Sequence, residues 1–496
     1  GYFAQDDWKV NPRLTLNLGV RYDLYTHPYE AHNNQSNFDL TSQTLLVGGQ
    51  NGNSRSLIDN NYTNFAPRVG FAYDVTGKGQ TVLRGGYGIF YFLDRGGVGN
   101  QLSNNPDFNG SAEYRATDGY RITFTGQGPS NDNNNVDATQ PLPLPVFGST
   151  VNRSDPRNVS LVSVDKHLPT STIQEWNLQW QQQLDANTSV NIAYVGTKSD
   201  HLMTWFNLNN QVLDTPENTL LYPLRGTITR GIAAGTSKYN GLQVFVNRRL
   251  AQGFQFTAAY TWSHTLDDSN GAFNSGTAAA GTRVFITPAG PDLRANYGNA
   301  DQDQRNVFVF SALAELPFGK GKIFASNIPT ALNYLIGGWQ TNTIVTLASG
   351  TPFDVNTNQG LAPDTGADVG ASPNNRADVI KPITYRKSVH EWFNTSAFTV
   401  PPVVSSTDTV FTRPGTLGRN QLSGPAFRSM DLSLFKNVPL YSERVIGQFR
   451  AEAFNLTNTP AFANPDGYMQ DSNFGVISTT RNRSERQLEL AFRVTF

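Results

Sequence analysis

The titratable side chains that recur with regular spacing in this sequence alternate with apolar ones. Arg13, Arg21 and Asp23 lie in RLTLNLGVRYDLY (13–25), Arg68 and Asp74 in RVGFAYDV (68–75), and Arg84 in TVLRGGYGIFY (81–91). Glu175 lies in EWNLQWQQQL (175–184), Arg305 near 304–316, Arg450 and Glu452 in FRAEAF (449–454), and Glu489 and Arg493 in QLELAFRVTF (487–496). Charges of both signs cannot stay unpaired in a dry interior. Their chemistry is therefore ion pairing and hydrogen bonding in a hydrated space. They line a watery bore, or they grip a polar body seated in it, and both readings stay open at this point.

Other chemistry finds little support. The six histidines are scattered; His27 and His32 are near neighbours, but no HExxH or comparable ligand spacing occurs, and there is no cysteine. No resident metal is expected. GGYGIF (85–90) lies inside a strand-like ribbon rather than before a helix, so it is room for close packing and not a phosphate cradle. GKGK (319–322) lacks phosphate-loop spacing, and no GxSxG nucleophile motif is present. No catalytic residue and no cofactor are expected. The stretches NDNNN (131–135), DDSNGAFNSG (267–276) and NADQDQ (299–304) match no EF-hand template and read as solvated loop. Two aromatic pairs, Trp205 with Phe206 and Trp392 with Phe393, fall in long connections beside Asn and Thr. They are candidates for stacking on a sugar ring or packing on a peptide; the alternative is a small hydrophobic core inside each loop.

The elements that must carry these residues are strands. In RLTLNLGVRYDLY, Leu14, Leu16, Leu18, Val20, Tyr22 and Leu24 share one face and the polar residues share the other. The pattern recurs in 68–75, 175–184, 253–263 and 487–496, and less regularly near 1–9, 80–93, 188–197, 239–250, 304–316, 338–349, 427–437 and 444–456. That makes about thirteen strands. Many run ten residues or more, whereas strands of soluble domains average about five or six and a tilted bilayer crossing takes about 9–11. Short connections (11–12, 76–79, 185–187, 251–253 and around NVPLYSE) alternate with long ones (26–64, 94–170, 198–237, 265–303, 350–426 and 457–486). Short periplasmic turns opposite long extracellular loops are the signature of an outer-membrane barrel. The stretch 317–338 should be short and is not; it has room for a small helix near PTALNYL. Tyr22, Tyr25, Tyr91, Phe92, Tyr260, Trp262 and Phe496 sit at expected strand ends, where aromatics favour headgroups.

No run of 18 apolar residues exists, and a barrel would not show one, because only alternate residues meet lipid. Formal net charge is −1 and charged residues are 16% of the chain, against roughly 25% for an average globular protein. Neither nucleic acid nor an anionic surface is indicated as a partner. The fold class expected is all-β, an antiparallel up-and-down transmembrane barrel. An odd strand count leaves the two terminal strands parallel, so the wall should not close by itself. An odd number of strands is expected upstream of Gly1. On this assignment an arginine at Leu16 is costly, and a lysine at Thr15 is mild.

RLTLNLGVRYD, TVLRGGYGIFY, ELPFGKGK, GGWQTNTIVTLASGTPF, EWFNTSAF, FRAEAFNLTNTPAF and RQLELAFRVTF resemble the barrel of TonB-dependent outer-membrane receptors, most of all the Oar-like subgroup. The resemblance covers essentially the whole chain, with AEAFNLTN and the terminal strand its most specific parts. It implies a 22-stranded barrel closed by an N-terminal plug, with about nine strands and the plug absent from residues 1–496. It also implies residence in the outer membrane of a Gram-negative bacterium, and active transport rather than catalysis. Implied partners are outer-membrane lipid, the TonB complex through the N-terminal region, the barrel assembly machinery, and an extracellular ligand such as an iron chelate, oligosaccharide or peptide. Arg21, Arg68, Arg84, Glu175, Arg450, Glu452 and Arg493 become plug- or lumen-facing candidates, and Leu490, Phe492, Val494 and Phe496 the assembly strand. A porin-like channel and a surface adhesion or assembly protein are the alternatives.

Overall fold

The computed structural model describes residues 1–93, 101–106, 108, 153–157, 159–216, 219–268, 284–357, 375–404, 411–441, 445–481 and 484–496. The loop stretch 131–135 and residues 269–276 of the Asn-rich loop lie outside them.

Thirteen strands form one antiparallel path in sequence order. They are β1 (Tyr2–Asn11), β2 (Leu14–Tyr22), β3 (Phe65–Asp74), β4 (Thr81–Phe92), β5 (Ser171–Gln183), β6 (Thr188–Asn207), β7 (Ile228–Ala251), β8 (Phe254–Asp267), β9 (Asn306–Glu315), β10 (Trp339–Ala348), β11 (Phe427–Tyr441), β12 (Val445–Phe454) and β13 (Gln487–Thr495). The expected count and the alternation of turn lengths both hold. NFGVIS (473–478) stays outside the sheet; it meets Asp466 in an isolated bridge at Phe474 and bonds the backbone of Val389 and Trp392 in the loop layer. The connection 316–338 contains one helix, α1 (Thr330–Ile336).

Side-chain caps close three of the short turns. The Asp74 carboxylate accepts from the amides of Gly77 and Gly79 at 2.9 and 2.8 Å, where both glycines have φ near +70°. Asn11 accepts from Arg13 and Leu14, and Asp185 from Asn187 and Thr188. These residues are polar turn formers for a physical reason: they replace the ladder bonds lost where the chain reverses.

Register converts local alternation into two continuous faces. One row runs Leu14–Tyr73–Leu83–Trp180–Ile192–Val244–Tyr260–Phe308–Leu347 across nine neighbouring strands. These side chains have no protein layer over them; Leu178 on the same face is 50% exposed. An apolar face of this extent belongs in hydrocarbon. Glycines on it admit neighbouring rings: a Cβ at Gly85 would lie 2.5 Å from the ring of Phe71, and one at Gly196 would collide with Trp176.

The buried hydrophobic core lies beyond the wall, in the layer of long connections. Strands β6 and β7 have 20 and 24 residues, about twice a bilayer crossing. Their outer halves form an arm, and the short strand Leu161–Val164 adds to it in parallel. Around the arm pack Phe38, Leu45, Phe206, Ile228 and Ile286 in one cluster, and Leu57, Leu102, Val162 and Met203 in another. Buried asparagines splice the chains together. Asn37 exchanges both amide bonds with Val164, and Asn105 bonds Ser36 and Val162. The AEAFNLTN element has a similar logic: Asn455, with φ of +47°, receives no ladder partner and instead donates to Thr459 and Ser484 while its amide reaches Asp431.

One loop boundary differs from expectation. The connection expected at 198–237 shrinks to 208–227, because β6 and β7 keep pairing far beyond the bilayer. Alternation is lost there because protein, rather than lipid and water, covers the strands.

Candidate functional site: a charged inner face below a folded loop layer

The face opposite the apolar rows is polar and small. Its rows include Arg68–Gly88–Glu175–Thr197–Tyr239–Thr265 and Gly70–Gly86–Asn177–Val195–Gly241–Ser263. Arg21, Arg68, Arg84, Glu175, Arg450, Glu452 and Arg493 all fall on it, as the spacing required. Arg21 Nε lies 2.8 Å from the Asp23 carboxylate. The Arg68 guanidinium lies 4.4 Å above the ring of Phe90. Arg84 donates to Gln181. Arg450 pairs with Glu452 at 2.9 Å, and Ser433 Oγ donates to the same carboxylate at 3.0 Å. Arg493 stands opposite Gln448, and Glu489 opposite Glu452. Farther out, Arg305 pairs with Asp303 at 3.0 Å and reaches His264. Half-exposed pairs of this kind are worth about 0–1 kcal/mol. They do not hold the wall together. They make it wettable and give it fixed charges of both signs.

The aromatic candidates do not form an open ligand surface. Trp205 and Phe206 are strand residues of β6, not loop residues. Phe206 is buried in the cluster around the arm, and Trp205 packs half-buried on the neighbouring one, over Gly231. Phe393 is fully buried beside Phe353, Phe398 and Phe474. Trp392 packs on that cluster and donates its indole N–H to Ser423 O at 2.9 Å. A loop of this length must bury apolar area to hold one shape, and these rings supply it.

Arginines of the loop layer, of which Arg225, Arg376 and Arg419 are buried, escaped the sequence reading. Arg419 is held by Asp267 and Asp301, and the adjoining Asn420 bonds Asp301 and Asn299. NADQDQ (299–304) is therefore partly docked through Asn299, Asp301 and Asp303, while Asp301 and Gln302 stay open to solvent. Arg376 donates to the carbonyls of Leu417 and Ala295 and to Asn296. Arg413 grips Asp378 with both terminal nitrogens, at 2.8 and 2.7 Å, which holds that carboxyl below the usual carboxylate range. Arg225 reaches Asp155 at 2.7 Å. The available signal was TRPGTLGRNQLSGP (412–425), where arginines stand among turn formers without periodicity. Near the arm, a cavity of about 250 Å³ is lined by Asp39, Ser163, Asp165 and Arg230 over an apolar floor of Phe38 and Leu57.

On β13, Leu490, Phe492 and Val494 continue the apolar face, with the Phe492 ring 4.6 Å from that of Phe449. Leu490 and the terminal Phe496 are 88% and 97% exposed, since no strand pairs with the outer side of β13 among the described residues. Strand β1 is likewise paired on one side only.

A family model described as outer membrane beta barrel domain matches residues 1–489. The TonB-dependent transporter Oar of Myxococcus xanthus is 25% identical over 286 residues, a match covering 55% of this chain and 24% of that protein. The chain thus spans about a quarter of the curated relative it matches. Among solved structures, the outer membrane transporter YddB from Escherichia coli aligns with a TM-score of 0.46 at 11% identity, over 99% of this chain and 44% of that one. The pyoverdine outer membrane receptor FpvA from Pseudomonas aeruginosa aligns with a TM-score of 0.43 at 10% identity, over 100% and 41%.

Proposed function

This chain belongs to the outer membrane beta barrel domain family and resides in the outer membrane of a Gram-negative bacterium; from that premise we propose that it is the C-terminal wall of a plugged, TonB-dependent transport receptor. The observation that carries the reading is the pairing of a charged inner face with two unpaired edges. Strands β1 and β13 run parallel, because thirteen strands alternate in direction between them. Unpaired backbone groups in hydrocarbon cost several kcal/mol each. An odd number of further strands closes such a wall, and a polar plug satisfies charges such as Glu175 and Glu489. The similarity to a TonB-dependent transporter supports the same assignment.

In this reading the folded loop layer selects a scarce solute at the outer surface. Force on the plug, transmitted through TonB, then exposes the inner face, and its mixed charges let a hydrated solute pass without one dominant trap. A selective surface in the loop layer would favour uptake; export through the same wall is the alternative direction. In this reading the transport step is a conformational change of the plug and not covalent chemistry.

The test uses the native full-length protein. Its mass in purified outer membranes should exceed 54.5 kDa by roughly the size of nine strands and a plug. In planar bilayers it should be nearly silent until the plug is loosened with urea. Steady conductance without urea would establish a passive pore instead.

A further inference from the structure

The connection between β9 and β10 departs from every other short turn in length and in polarity. Its apolar side chains point outward: Ile323 is 81% exposed, Leu335 71%, Tyr334 56% and Phe324 54%, and α1 contains no buried residue. This is not a frayed segment. Phe318 and Phe324 bridge and stack with centroids 5.5 Å apart. Asn333 fastens α1 to that turn by accepting from Lys320 N at 2.7 Å. The polar groups are used inside the unit, and the apolar ones are left outside.

Its tethers fix where that exterior lies. Trp339 Nε1 donates to Leu335 O at 2.8 Å, and Lys436 Nζ donates to Tyr334 O. Register places Trp339, Lys436, Phe449 and Phe492 in one row of the apolar face. The end of α1 is therefore held over the outside of the wall, at the short-turn rim, and not over the bore.

We propose that residues 317–338 form an interfacial anchor that lies in the inner leaflet of the outer membrane, its occupant being phospholipid. The patch is continuous with the lipid-facing wall. It carries a Trp and a Tyr at the boundary, where their amphipathic rings are favoured. Lys322, in the same connection, turns instead to the inner face and pairs with Glu315 at 2.6 Å. An exposed apolar patch continuous with the lipid-facing wall fits a phospholipid surface better than a soluble partner.

The inference rests on the membrane assignment of the wall and not on transport, so the experiment separates the two. The chain has no cysteine, which allows clean single-cysteine labelling of the native full-length protein in vesicles containing dibrominated phosphatidylglycerol. A fluorophore at Leu335→Cys or Ile323→Cys should be quenched about as strongly as one at Leu178→Cys on the wall. One at Lys78→Cys, in the β3–β4 turn, should not be. Quenching at position 178 without quenching at 323 and 335 would overturn the anchor, and would point to a protein or a second copy as the cover. Loss of quenching at 178 as well would overturn it together with the membrane assignment.

Discussion

Arg419, in the loop between β10 and β11, closes on Asp267 at the outer end of β8, a residue 152 positions away. Both side chains are nearly inaccessible, at 3% and 11% exposure. The pair locks two long loops into one layer. Removing Arg419 leaves the Asp267 carboxylate buried without its cation, which costs about 3–5 kcal/mol, while an apolar replacement of both is often neutral. Arg419→Ala should open the loop layer to limited proteolysis without altering barrel content by circular dichroism. Arg419→Met combined with Asp267→Leu should restore much of the protection.

The two faces of β2 should respond oppositely to charge. Leu16 lies between Trp8 and Phe71 on the lipid side, and Leu16→Arg should cost ~2–4 kcal/mol at mid-bilayer depth. Thr15 lies opposite Lys9 on the inner side. The register thus amends the choice of substitution made from sequence: Thr15→Lys sets two like charges face to face, whereas Thr15→Glu gains a partner and should be mild. Urea titrations of folding into lipid vesicles give both values, and equal costs for Leu16→Arg and Thr15→Glu would refute the face assignment.

Trp176 lies over Gly196 on the apolar face, filling the space that a side chain would take. Gly196→Val should therefore cost about 1–3 kcal/mol through overpacking. The double variant Gly196→Val with Trp176→Leu should recover most of it. Heat-modified mobility on gels, followed against temperature, reports the difference.

Acid should loosen the first long loop before the loop between β10 and β11. Burial pushes the pKa of His27 below its ordinary 6.5, with Asp59 pulling weakly the other way. The unfolded loop then binds more protons than the folded one just below pH 6.5, so stability there falls as pH falls. The Arg413 guanidinium instead depresses the Asp378 carboxyl, and that contribution is complete above the ordinary carboxylate range and lost only as pH drops through the lowered value. Hydrogen exchange near residues 23–35 should rise between pH 7.5 and 5.5, while residues near 378 stay protected. His27→Gln should flatten the first response.

Sequence alone determined the wall. Thirteen strands, their directions, their turns and the face of every charged candidate follow from a period of two, because lipid on one side and water on the other impose opposite demands on adjacent residues. The helix in 317–338 was legible for a similar reason, through its distance between strands and its helix formers. The loop layer was not legible. Phe206 and Phe393 look like ligand aromatics from composition, yet distant chain segments bury them. Arg419 and Asp267 carry no mark of being partners. Contacts separated by more than a hundred residues depend on how the β6–β7 arm and the loops pack in space, and no local pattern encodes that. Only the tertiary structure could decide which side chains are core, which are paired, and which remain open to solvent or lipid.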